Sequence, residues 1–262
     1  MNHPIYFDNK LSLHRCLTNI SLCLVGLLTL ASAGAQVLVV HAAAGVKSPL
    51  ESVAQAFKSS SGFSLELHFD TAGAAQQRYL ADDSAQVLIT TLERIEASTQ
   101  NGELKEGQLF PFAATVAGMA GKNFKANAPQ NADELKHLLL NCQSIAISDP
   151  ARGATVGQHF IKILDQLGIR SEVMVKASLA KDGLQTMEWV RAGGVQLGVT
   201  QISEIVQSDA STLIGPFPPP FELTSNYAMW LKTPKSQASQ ALLAWLRSAK
   251  GRELLIQQGL KP

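Results

Sequence analysis

Apolar and polar positions along this chain follow two alternating periods. Val37 to Ala43 (VLVVHAA) is a β-branched, apolar run of the kind that a strand buried on both faces requires, and it leads directly into Gly45. Ser48-Pro49-Leu50-Glu51 then reads as an N-cap, a proline at the first helical position and a capping-box glutamate. Leu50, Val53, Ala54 and Phe57 fall on one helical stripe that ends before Gly62. FSLELHF (63–69) alternates as a strand, DTAGA turns, AQQRYLAD is a short helix and VLITT (87–91) a third strand. Strands alternating with helices predict a parallel sheet with helices on its faces.

The pattern then restarts. FAATVAGMAG (112–121) is a long small-residue strand, ADELKHLLL a helix opened by Asn131, and SIAISDP a strand stopped by Pro150. GATVGQHFIKILDQLG carries a stripe of Phe160, Ile163, Leu164 and Leu167 closed by Gly168. EVMVKA reads as a strand, GLQTMEWVRAG as a helix, VQLGVT as a strand and SEIVQ as a short helix. The proline-rich TLIGPFPPPFEL cannot be a central strand and is expected to be a peripheral, irregular connection. NYAMWLK returns as a strand, and Ser236 opens a helix with Ala238, Leu242, Trp245 and Leu246 on one side. Two α/β units with strand-to-helix turns place a ligand site between them, at the carboxyl ends of the strands. The helix starts at Ser48 and near Ala154 suit an anion.

The first 35 residues are set apart. Lys10, His14 and Arg15 precede an uncharged stretch, Leu22 to Leu30, and then the small residues ASAGA, which is the order of a secretory signal peptide. Cleavage is expected after Ala35, with Ala33 as the alternative. The apolar run is shorter than the ~20 residues that span a bilayer. Cys23 follows Leu22 where a lipobox needs a small residue, so no lipid anchor is expected. Cys16 and Cys23 depart with this segment, and Cys142 is left without a disulfide partner in an oxidising compartment, as a buried thiol.

Charge excludes more than it suggests. Over 262 residues, 22 Lys+Arg face 21 Asp+Glu, and loss of the leader removes Asp8, Lys10 and Arg15, which leaves the remainder formally neutral. Nucleic acid is not an expected partner, because no basic field exists to attract it. No GxSxG, HExxH, CxxC, P-loop or EF-hand pattern occurs, and His41, His68, His137 and His159 have no partner at helical spacing. No catalytic residue, metal site or cofactor is expected. His41 and Asp70 read as structural groups at strand ends, and Trp189, Trp230 and Trp245 as core. Arg152, in the turn DPARGAT, is equally an anion clamp and a solvated loop arginine.

AAAGVKSPLESVAQAF, FDTAGAAQQRYLADDSAQVLITT, ISDPARGATVGQHFIKILDQLGI and AKDGLQTMEWVRAGGVQLGVTQISE, in that order, resemble the periplasmic molybdate-binding proteins of ABC transporters. The resemblance covers residues 37–262. It implies an α/β, two-lobed type II periplasmic-binding fold, each lobe a mainly parallel sheet flanked by helices, joined by two crossing strands near 112–119 and 225–231. It places residues 36–114 and 226–262 in lobe 1 and 115–225 in lobe 2, after a 1–35 signal peptide.

Carried over residue by residue, the family's ligand positions fall on Gly45 and Ala72, each where the family has a serine. In the second lobe they fall on Thr155 or Val156, on Gly183, and on Gln201, where the family often has a tyrosine. Three hydroxyl donors are therefore missing, and each buried donor lost costs about 1–3 kcal/mol. Thr71, Arg152 and Gln201 are the expected replacements, beside the backbone N–H groups of Gly45, Ala72 and Gly183. The resemblance implies an exported, monomeric periplasmic solute-binding protein that passes a small anion to an ABC transporter permease. The anion is a molybdate- or tungstate-like oxyanion or a small organic acid, with selection against simple molybdate. The alternatives are a periplasmic enzyme of unknown reaction and a ligand-sensing effector domain.

Overall fold

The computed structural model describes Met1 and residues 37–262 except Lys125 and Gly259. The expected signal peptide, with its cleavage site, lies outside the described residues. In chain order the elements are β1 (Val37–Ala43), a 3-10 turn (Ala44–Val46), α1 (Lys47–Ser61), β2 (Ser64–Asp70), α2 (Ala72–Leu80), β3 (Ala85–Thr91) and α3 (Leu92–Gln100). Next come β4 (Gly107–Ala120), α4 (Ala132–Asn141), β5 (Ile145–Ser148), a 3-10 turn (Pro150–Arg152), α5 (Thr155–Leu167), α6 (Arg170–Met174), β6 (Ala177–Ala180) and α7 (Gly183–Ala192). The chain continues through β7 (Leu197–Gln201), α8 (Ile202–Asp209), a 3-10 turn (Ala210–Thr212), β8 (Leu213–Pro216), β9 (Thr224–Lys232), α9 (Gln237–Arg247) and α10 (Ala249–Gln257).

The strands run in the order β2-β1-β3-β9-β4-β7-β5-β6, with β8 paired to β4. β1 pairs parallel with β2 and β3 in one lobe, and β5 pairs parallel with β6 and β7 in the other. β4 and β9 are the crossing strands and pair antiparallel with each other, from Gly107 opposite Lys232 to Val116 opposite Thr224. β4 is long enough to serve both lobes, because its last residues, Ala117 to Ala120, pair with β7. Each lobe has its own core. Leu50, Val53 and Phe57 of α1 pack with Leu38, Val40 and Val87 in the first, while Phe160, Ile163 and Leu164 of α5 pack with Ile145, Ile147 and Val199 in the second. Removing Phe57 down to alanine would cost about 3–5 kcal/mol on the usual scale for a filled core position.

Several local expectations are corrected. Ser48 does not cap α1: the 3-10 turn runs into the helix, Val46 is the N-cap with no side-chain bond, and Ser48 Oγ donates to Gln258 Oε1 at 3.2 Å. EVMVKA is not a strand. Ile169 and Val173 are both buried at helical spacing while Val175 is exposed, a pattern that places α6 here and moves the strand to 177–180. The proline-rich connection is not wholly irregular or peripheral, since β8 pairs with β4 and both Phe217 and Phe221 are buried in the second core. The caps read at Asn131, Gly168 and Ser236 are present, with Asn131 Oδ1 accepting from Glu134 N–H at 3.0 Å. Cys142 is buried, and burial raises its thiol pKa.

Candidate functional site

Helix starts converge where the carboxyl ends of the two parallel sheets face each other. The 3-10 turn after β1, α2 after β2, α5 after the Asp149-Pro150 turn, α7 after β6 and α8 after β7 all border one small cavity. Its volume is about 30 Å3, roughly two to three times what a single water needs. The residues expected from sequence, Gly45, Thr71, Ala72, Thr155, Val156, Gly183 and Gln201, line it. Arg152 does not. Its guanidinium lies outside, donating from Nη2 to Asp70 Oδ1 at 2.8 Å and from Nε to the Lys181 carbonyl at 3.1 Å.

Sequence reasoning missed Asp182, Thr200, Glu204 and Tyr227, all of which line the same cavity. Tyr227 comes from crossing strand β9 and brings a phenol against Gly45: a Cβ added there would collide with its hydroxyl and lie 3.3 Å from Gln201 Cγ. The missing serine at position 45 thus has a steric cause, and a phenol does enter the site, from a strand other than the one that carries Gln201. Burial, reinforced by the charge of Glu204, raises the Tyr227 pKa, so the phenol stays protonated and able to donate. At Gly183 there is no room for any side chain, because a Cβ would overlap Glu204 Oε2 and Thr200 Oγ1.

Glu204 is 3 % exposed. One of its oxygens accepts from Thr200 Oγ1 and from Gln201 N–H at 3.2 Å. Burial pushes its pKa up to about 7, the Thr200 and Gln201 bonds oppose that rise, and Asp182 adds to it. Asp182 caps α7, accepting from Gln185 N–H at 2.9 Å. These two acids occupy the α7 and α8 starts, whereas the starts at Ala44–Gly45 and Thr155 have no side-chain cap, and at the α2 start the N–H groups of Gly73 and Ala74 are taken by the Gly153 carbonyl and Thr71 Oγ1. Among the described residues no Lys or Arg lines the cavity. Thr155 Oγ1 on its wall is buried without a partner among the described residues, while Gln201 forms a capping box with Glu204 and donates from Nε2 to Ser225 Oγ at 2.6 Å.

The lobes meet around this space. Thr71 Oγ1 caps α2 by accepting from Ala74 N–H at 3.2 Å and donates across the cleft to the Arg152 carbonyl. Gly73 N–H donates to the Gly153 carbonyl at 3.2 Å, and Arg94 Nη2 to the same oxygen at 3.1 Å. On the inner side Ser203 Oγ donates to the Gly45 carbonyl at 2.8 Å. His41 takes no part: its Nε2 is 2.8 Å from Asp82 Oδ2, its ring stacks on His68 at 5.0 Å, and the contact lowers the Asp82 pKa to about 2. Among the described residues no cluster of His, Cys, Asp and Glu could hold a metal, and no helix is long and apolar enough to cross a membrane.

A sequence model of the family described as bacterial extracellular solute-binding protein matches residues 38–261. A protein from Pseudomonas sp named aconitate isomerase is 24% identical over 236 residues, covering 86% of this chain and 87% of that protein. Among solved structures, the Azotobacter vinelandii periplasmic molybdate-binding protein superposes with a TM-score of 0.71 at 18% identity, over 86% of this chain and 99% of that one. A phosphate-bound putative phosphate ABC transporter substrate-binding protein from Clostridium perfringens gives 0.64 at 12% identity, over 86% and 99%. The fold is the two-lobed α/β architecture of type II periplasmic-binding proteins.

Proposed function

The chain belongs to the bacterial extracellular solute-binding proteins, and from that premise we propose that it captures a small anion in the cavity between its lobes and performs no chemistry on it. The observation that carries this reading is the convergence of the helix starts at Gly45, Ala72 and Thr155 on a space whose wall holds Thr155 Oγ1, buried and without a partner among the described residues. Converging N–H groups and positive dipole ends hold negative charge without a side-chain cation. The molybdate-binding and phosphate-bound structures of the same fold lend support. In this reading Gly45, Thr71, Ala72, Thr155, Val156, Gly183 and Gln201 touch the ligand, Tyr227 donates its phenol, and Arg152 acts at the rim. The exported, monomeric protein works in the periplasm, with an ABC transporter permease as its partner.

The lobes are taken as residues 36–114 with 226–262, and 115–225, hinged where β4 and β9 cross. Calorimetry with molybdate, phosphate, sulfate and a panel of small carboxylates tests the proposal. Saturable one-to-one binding of an anion supports it, and the absence of heat across the whole panel sinks it.

One observation favours a second reading. Glu204 is a buried carboxyl on the cavity wall with a pKa near 7, which is what a group that takes and returns a proton at neutral pH requires. The Pseudomonas relative is named aconitate isomerase. In this reading Glu204 removes a proton from the methylene of an unsaturated polycarboxylate and returns it at the far carbon of the allylic system, which moves the double bond. Proton NMR of cis- and trans-aconitate with the purified protein tests this reading: interconversion that is lost in Glu204→Gln supports the isomerase, and unchanged spectra rule it out.

A further inference from the structure

Directly outside the Gly73–Gly153 contact lies a larger pocket of about 470 Å3. Its wall carries Arg78 and Arg94 from the first lobe, Arg152 from the second, and one carboxylate, Asp70. Asp70 is buried and shared, with Arg78 Nη2 donating to it at 2.7 Å and Arg152 Nη2 at 2.8 Å. Arg94 has no carboxylate within ion-pair distance among the described residues; its one hydrogen bond is to the Gly153 carbonyl. Half-buried as it is, its guanidinium has its pKa drawn down by desolvation. Three guanidiniums set against one carboxylate leave an excess of positive charge at the lip, whereas no Lys or Arg among the described residues lines the cavity behind it.

Resting on the anion-binding reading above, we infer that this lip pocket is a second anion subsite, which takes a further carboxylate of a di- or tricarboxylate whose first carboxylate occupies the cavity. The division between the two spaces is the Gly73–Gly153 backbone contact, flanked by the Thr71 hydroxyl on the Arg152 carbonyl and by Arg94 on the Gly153 carbonyl. Gly73 N–H reaches the Gly153 carbonyl, and a Cβ on Gly73 would stand 2.8 Å from Gly153 Cα, so no side chain of either residue blocks the way. A small parting of the lobes at this contact joins cavity and lip. Arg94 and Arg78 are then placed to grip a carboxylate with paired N–H donors, the geometry in which guanidinium is strongest. Asp70 keeps Arg152 and Arg78 ordered without cancelling the pocket's charge.

The test is calorimetry of the purified protein with sulfate, phosphate, acetate and tricarballylate at equal ionic strength, on wild type, Arg78→Gln, Arg94→Gln, their pair and Arg94→Lys. The readout is tricarballylate affinity divided by that of the best-bound single-group anion, because Arg94 also helps the lobes close and that contribution cancels in the ratio. Expected are one-to-one binding of tricarballylate at least tenfold tighter than any single-group anion, a loss of at least tenfold in the ratio for the pair, and partial retention in Arg94→Lys. Binding of tricarballylate alone also supports the inference, its own affinity then serving as readout. A ratio unchanged by the pair overturns the inference, and so does a stoichiometry of two anions per chain. Tight sulfate or phosphate with no preference for tricarballylate overturns it while the anion-binding reading stands. Silence from every probe removes both.

Discussion

The cavity and the lip lie on either side of the Gly73–Gly153 contact and handle charge in opposite ways. Inside, Asp182 and Glu204 are the ionisable groups of acidic type, Tyr227 is a neutral phenol, and negative charge can be met only by neutral donors and helix starts. Outside, Arg78, Arg94 and Arg152 surround a single Asp70. Neutral, preorganised donors in a dry space discriminate by shape and donor count, since each one left unpaired is costly. Half-exposed arginines attract many anions but are screened by water and salt, so they add range and charge selection more than tightness. On the proposed reading the cavity sets whether an acid group is held, and the lip sets how many such groups the ligand carries.

Substitutions should separate the two regions, and the largest effect is expected inside. Gln201→Leu removes a buried amide that faces the cavity and bonds Ser225, and should weaken anion binding by about 1–3 kcal/mol, a factor of roughly ten to a hundred, as read by calorimetry. An affinity unchanged by this substitution would take Gln201 out of the site. Next in size, Gly45→Ser forces a side chain onto the Tyr227 hydroxyl and should destabilise the fold by about 1–3 kcal/mol in urea unfolding. Adding Tyr227→Phe should recover part of that loss. Equal losses with and without the hydroxyl would show that the collision is not what keeps position 45 a glycine.

pH sharpens the comparison further. The pKa of Glu204 in the folded chain is raised from its ordinary 4.5 to about 7, so the folded state holds its proton more tightly than the unfolded state does. Its contribution to stability is complete below the unfolded value and is lost as pH rises through about 7. Ionisation also places a carboxylate on the wall of an anion site, so affinity should fall over the same interval. Glu204→Gln should flatten both profiles, and a slope that survives it would assign the titration elsewhere. The smallest effect is at the lip: Asp70→Asn breaks pairs with arginines whose side chains are 59% and 40% exposed, and should change stability by less than about 1 kcal/mol.

Local signals made much of the architecture readable. The stripe on α1, the stripe on α5 with Gly168 at φ 65°, and the capping residues Asn131 and Ser236 each rest on neighbours a few positions away. Failures arose where packing outweighed propensity. EVMVKA contains two β-branched valines yet is helical through Met174, because Ile169, Val173 and Met174 meet the second core while Val175 is exposed. The helices α3 and α10 were not anticipated; each buries only two residues, Ile95 and Ser98 in α3 and Gly251 and Leu255 in α10. At the site, the backbone positions were readable because strand-to-helix turns announce them. Tyr227 and Glu204 were not, since what brings them to the cavity is proximity to Gly45 and Gly183 across lobes or elements, and no spacing along the chain encodes that. Arg152 shows the converse: its turn was readable, but the pull of Asp70 across the cleft was not.

The most direct measurement of the central claim, that neutral donors in the cavity hold an acid group, is anion calorimetry on the purified protein at pH 6 and pH 8 in high salt. High salt suppresses the lip arginines and leaves the cavity. The account predicts saturable one-to-one binding that persists in salt and is tighter at pH 6, when Glu204 is protonated. Binding that disappears in salt, or that is equally strong or stronger at pH 8, would contradict it.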